Sequence, residues 1–170
     1  MKINNFINYL FLLLVVTNSS LANTEYVELT RVSTEEGLSV GYITNIVQDK
    51  EGFIWMATEM GLNRYDGYEV EIIKGPENAL ERAVIVDLHS DTSGKIWIGT
   101  RSSGIYSYDT EKGEFSHFNW PLNIINKVNS QFYISIAEQK NGLVLIANRD
   151  TVFTIDQANK ELTPLIEFKT

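Results

Sequence analysis

One motif, returning at nearly fixed spacing, limits what this chain can fold into more than any other feature. Ile43 to Gly67, ITNIVQDKEGFIWMATEMGLNRYDG, is followed by Ile85 to Asp109, IVDLHSDTSGKIWIGTRSSGIYSYD. Gly52, Trp55, Tyr65 and Asp66 recur as Gly94, Trp97, Tyr108 and Asp109, at offsets of 42 or 43 residues. A worn third copy, Ile134 to Asp156, aligns Gly142, Leu145, Ile155 and Asp156 after a further 47 or 48. A period of about 40 to 50 residues marks a propeller, a solenoid or an array.

The residues inside each copy decide among these. Asp49-Lys50-Glu51-Gly52 places Asp first and Gly fourth, which suits a type I turn with a glycine bulge closing a hairpin. Asp91 and Gly94 repeat it, whereas the third copy keeps Gly142 but has Gln139 in place of the Asp, so the glycine carries the turn. Asp66-Gly67 reads as a second, two-residue hairpin turn. Between the turns, Phe53 to Ala57, Ile96-Trp97-Ile98 and Leu143 to Ala147 are apolar on both alternating faces, as strands buried on both sides are. Tyr68 to Ile73 sets Tyr68, Val70 and Ile72 against Glu69 and Glu71, the pattern of a water-facing edge strand. Tyr26 to Val32 reads as an opening strand, and Thr34 to Ser39 as a turn in which Gly37 takes positive φ. No segment has the length and 3.6-residue period of a helix. The expectation is an all-β chain: a partial β-propeller of about three four-stranded antiparallel blades, at 40–74, 83–118 and 130–168.

The first 22 residues read as an export signal. An apolar run from Tyr9 to Val16 precedes TNSSLA, whose Ser20 and Ala22 fit cleavage before Asn23, and the run falls short of the ~20 residues a membrane helix needs. Removal leaves residues 23–170 as one propeller domain, periplasmic or otherwise extracytoplasmic. Net charge, −8 for the whole chain, becomes −9 when Lys2 leaves, and no basic run exists, which argues against nucleic acid. The chain has no cysteine, so packing alone must hold the exported domain.

QDKEGFIWMATEMGLNRYDGY and SDTSGKIWIGTRSSGIYSYD resemble the two-component regulator propeller repeats of bacterial sensor proteins. The shared pattern is Asp, turn Gly, Ile-Trp, a small residue with Thr, Gly-Leu and Tyr-Asp. Its positions here are Asp49, Gly52, Trp55, Gly61, Tyr65 and Asp66 in the first copy, and Asp91, Gly94, Trp97, Gly104, Tyr108 and Asp109 in the second. Of these the third keeps Gly142. VELTRVSTEEGLS resembles the usual start of such sensor domains. The resemblance implies a large exported propeller, followed in full-length relatives by a membrane span and a cytoplasmic histidine kinase or diguanylate cyclase. Contact with a membrane would come only through such downstream parts.

Sharper roles for single residues each have a plainer rival. Trp55 and Trp97 could stack on a sugar, yet their place in doubly apolar strands makes them core anchors. Asp49, Asp66, Asp91 and Asp109 stand at turn starts, where Asp bonds its own backbone, without the dense oxygen ligands of a calcium loop. His89 and His117 lack a companion at zinc-ligand spacing. No nucleophile elbow, HExxH or phosphate loop occurs, and no metal or cofactor is expected. The expected role is non-catalytic: a ligand-sensing module for a small molecule, such as a carbohydrate, or for a protein. The rivals are part of an exported propeller lyase or hydrolase acting on carbohydrate, and a structural repeat scaffold. Loops between the second and third strands of each blade gather at one mouth in propellers. That nominates Glu59, Arg101, Asn148 and Arg149 for ligand contact. Three blades fall short of the four to eight that close a propeller. Residues 23–170 alone are therefore expected to self-associate or stay partly unfolded, needing further blades from the same gene or another chain.

Overall fold

The computed structural model describes residues 31–120, 133–156 and 160–168. The export signal and the opening strand at Tyr26 to Val32 lie outside these residues, apart from Arg31 and Val32, which are in no strand. The chain divides at Val32, and every strand described belongs to the unit Val32–Thr170.

Among the described residues, twelve strands form three antiparallel sheets, each a four-stranded meander in sequence order. The first sheet comprises β1 (Ile43–Gln48), β2 (Ile54–Thr58), β3 (Gly61–Tyr65) and β4 (Val70–Ile73). The second comprises β5 (Ile85–Ser90), β6 (Lys95–Thr100), β7 (Ile105–Asp109) and β8 (Glu114–Phe118). The third comprises β9 (Ser135–Glu138), β10 (Val144–Ala147), β11 (Thr151–Asp156) and β12 (Glu161–Glu167). First strands meet first strands: β1 lies against β5, and β5 against β9. That is blade packing around an axis.

The turn between first and second strands is the same in all three sheets. Gly52, Gly94 and Gly142 have φ of 93, 95 and 82°, where a side chain is strained, and their N–H groups donate to the carbonyls of Asp49, Asp91 and Gln139. The hairpin at Asp66 is shifted from the expected place. Asp66 N–H donates to Glu69 O, so Gly67 and Tyr68 form the tip instead of Asp66 and Gly67. The Asp66 carboxylate causes this, because its Oδ1 accepts from the amides of Tyr68 and Glu69, both at 2.7 Å.

Cores lie between the sheets. Trp55, Ala57 and Leu62 of the first sheet meet Leu88, Ile96, Ile98 and Tyr106 of the second, sealed by Leu80 from the connecting segment. Trp97, Ile105 and Phe118 of the second sheet meet Ile136, Ile146 and Phe153 of the third, sealed by Trp120. The central strands β2 and β6 are buried on both faces. Each interface thus removes two apolar faces from water, at ~1.5–3 kcal/mol per large side chain.

The outer strand of the first sheet differs from its sequence pattern. Register sets Glu71 opposite Arg64 and Ile73 opposite Leu62, so Glu71 and Ile73 face the second sheet. The apolar alternation of Tyr68 and Ile72 lies on the far side, 91% and 40% exposed. Packing overrides alternation: Ile73 joins Leu62 at the core between the sheets, and Glu71 on the same face bonds Arg64 at 2.6 Å. That far face is partly covered. Ser39 N–H donates to Asn63 Oδ1 and the Ser39 hydroxyl bonds that of Thr58, bringing the segment that follows the 3₁₀ turn Thr34–Glu36 onto the sheet.

Candidate functional site at the mouth of the blades

The three sheets are aligned by hydrogen bonds between the starts of their first strands. Thr44 Oγ1 donates to Ile85 O at 2.8 Å, and Asn45 Nδ2 donates to Asp87 Oδ1. Asp87 Oδ2 then accepts the Ile136 amide at 2.6 Å. One carboxylate therefore ties the second blade to both neighbours. Burial pushes the Asp87 carboxyl above its usual range, against the donors from Ile136, Leu88 and Asn45 that favour its charge.

In each sheet the start of the first strand pairs with the end of the second, as Ile43 does with Thr58 and Ile85 with Thr100. Aligned starts thus bring the loops after β2, β6 and β10 to one end. Glu59, Arg101, Asn148 and Arg149 all lie there. Two further bonds fix this end: Gly61 N–H donates to Ala83 O, and Arg101 N–H to the adjacent Val84 O.

Each loop is closed by the residue that begins it. Thr58 Oγ1 donates to Gly61 O at 2.8 Å and Thr100 Oγ1 to Gly104 O at 2.7 Å. Asn148 substitutes in the third blade, its Oδ1 accepting from the amides of Asp150 and Thr151. Asn148 is thereby committed to loop shape. Glu59, Arg101 and Arg149 are exposed. Beside Arg149, a hollow of about 190 Å³ is lined by Tyr133, Ser135 and Asn148. Tyr133, 75% exposed, was not singled out by the sequence; its signal is an aromatic just ahead of the first strand of the blade.

The other sequence candidates are structural. Trp55 and Trp97 are fully buried. Their indole N–H groups donate to Asp49 Oδ2 and Asp91 Oδ2, each at 2.7 Å. The Asp at each turn start therefore does more than shape its own backbone. In the third copy both partners change together, to Gln139 and Leu145, six residues apart like the pairs they replace. Tyr65 donates to Gly67 O, and Asp109 accepts from Lys112. His117 stacks on Tyr106, with ring centroids 4.3 Å apart, and its Nε2 bonds Ser103 O. The His89 Nε2 is buried without a hydrogen-bond partner among the described residues. Among the described residues no group of three His, Cys, Asp or Glu could hold a metal ion.

Residues 37–60 run from the segment ahead of β1 to the first mouth loop, taking in Asp49, Gly52 and Trp55, and match the family described as two component regulator propeller. The match covers β1 and β2 of the first blade. Among solved structures, the fold is similar to an extracellular domain assigned to a hybrid two component system of B. thetaiotaomicron. That likeness has TM-score 0.64 and 24% identity over 81% of this chain and 20% of that one. A second such extracellular domain from B. thetaiotaomicron gives 0.65 at 18%, over 85% and 19%. A streptogramin B lyase gives 0.56 at 17%, over 72% and 40%. The chain spans about a fifth of the length of the two extracellular domains. Among curated proteins no sequence matches. No helix among the described residues is long and apolar enough to cross a membrane. At these identities the solved structures share their fold with the chain.

Proposed function

We propose that this chain is a non-catalytic, extracytoplasmic ligand-sensing propeller module of a bacterial signal-transduction sensor, with its output domain elsewhere. The observation that carries the reading is the convergence at one mouth of loops held by the same Thr or Asn device yet tipped with different side chains. Glu59, Arg101 and Arg149 occupy the three tips. A rigid frame with variable tips is how loops acquire binding roles. The regulator propeller repeat and the extracellular sensor domains of like fold support the signalling context and the location. The ligand is a small molecule such as a carbohydrate, or a protein, and further blades complete the ring.

The test is binding to a glycan array by a propeller that includes these blades, followed by titration of any glycan retained. Arg101→Ala and Arg149→Ala should each weaken it about tenfold, the worth of one lost charged hydrogen bond. Their unfolding midpoints should not move. Unchanged affinity contradicts the site, and turnover of the bound glycan contradicts the non-catalytic reading.

A further inference from the structure

A hollow with charged lining lies at the outer rim between the first and second blades. It measures about 430 Å³ and is lined by Arg64, Glu71, Ile73 and Lys74 of the first blade and Tyr108 and Phe115 of the second. Small-molecule sites occupy roughly 300–1,000 Å³. The rim cleft is in that range and the mouth hollow, at about 190 Å³, is below it.

The cleft exists where the repeat is broken. The first blade has Arg64 at the position that Ser107 fills in the second and Thr154 in the third. The Arg64 guanidinium sits 4.7 Å from the Phe53 ring centroid and 5.7 Å from that of Trp55, in cation–π range. Glu71 holds its Nη2 at 2.6 Å. Contact with two rings and one carboxylate bond hold the group in place, and a guanidinium carries five N–H donors, so donors remain for a ligand. Lys74 adds a second, exposed cation, loosely paired with Glu81 at 3.5 Å. On a chain of net charge −8, this lining carries two cations and one carboxylate. The opposite wall is aromatic, Tyr108 and Phe115 lying 4.7 Å apart in a tilted pair.

We propose that this rim cleft binds a small organic carboxylate, its anionic group taken by Arg64 and Lys74 and its ring laid against Tyr108 and Phe115. The site is separate from the mouth and independent of the role given to the mouth loops. Glu71 orients Arg64 and can accept a ligand hydroxyl.

Aromatic acids and acidic sugars share this chemistry, so the probes are benzoate and glucuronate, with benzyl alcohol as the neutral control. The whole chain is titrated with each, following ligand NMR and the emission of the tryptophans, of which Trp55 lies beneath Arg64. Saturable binding of benzoate or glucuronate and none of benzyl alcohol is expected, and the tighter of the two acids identifies the source. Arg64→Gln should weaken it about tenfold, and Lys74→Gln, on an exposed side chain that the fold does not need, by about threefold. The proposal is overturned if neither acid saturates, if benzyl alcohol binds as well, or if Lys74→Gln and Arg64→Gln bind the acid as tightly as the parent.

Discussion

Asp91 collects donors from Ser93, Lys95 and the Trp97 indole, and Asp49 gathers Phe53 and the Trp55 indole in the same way. A charged hydrogen bond of this kind is worth about 1.5–3 kcal/mol. A double-mutant cycle of Asp91→Asn with Trp97→Phe, read by denaturant unfolding, should show a coupling of about 1.5 kcal/mol. Additive losses would contradict the pairing. The carboxylates of Asp91, buried, and Asp87, half-buried, also predict opposite pH behaviour. Burial works against the charge on Asp91, yet its donors prevail and hold its pKa below the usual range. Its stabilisation is therefore complete above the unfolded value of about 3.9 and lost as pH falls through the lower folded value. Asp87 is shifted upward by burial, so its contribution is complete below the unfolded value and lost as pH rises through the folded one. Asp87→Asn should leave stability at pH 7 equal or higher, with Asn accepting the Ile136 amide; a clear loss at pH 7 would contradict this. The turn role of these aspartates was legible in the sequence. Their indole partners were not, because the bond depends on strand register, although the joint change to Gln139 and Leu145 was a readable sign.

Two glycines at the element scale have similar backbones and different surroundings. Gly104 has φ of 87°, and a Cβ there would stand 2.5 Å from Phe118 O and 2.8 Å from His117 Nε2. Gly67 has φ of 101° with nothing within 4 Å. Gly67→Ala should cost about 1 kcal/mol from conformation alone, and Gly104→Ala about 2–3 kcal/mol, since the β8 backbone must move. Equal costs in thermal unfolding would contradict the close packing of that loop. Strand positions were readable because doubly apolar runs and glycine turns fix them locally. The facing of β4 was not, since packing of Ile73 with Leu62 against the core decides it and alternation in YEVEII points the other way.

Across the whole molecule, the repeat period predicted blades, and it could also order the mouth loops, since each meander returns its second and third strands to the same end. What it could not supply is the join between blades. Asn45 and Asp87 occupy equivalent positions 42 residues apart, yet their bond becomes visible only when β1 lies against β5. At the outer strand of the third blade and just after it, Leu165, Ile166 and Phe168 are about half exposed. The central claim is that the blades are aligned with their mouth loops together. The chain lacks cysteine, so single pairs can be introduced and spin-labelled without background. Electron–electron distances are measured between labels at Glu59 and Arg101, and between labels at Glu59 and Ser93, which lies in the turn at the opposite end of the second blade. Aligned blades predict that the first distance is clearly the shorter, because the second adds one strand length, ~17–20 Å, at right angles to the separation between blades; equal distances, or a shorter second one, would contradict the account.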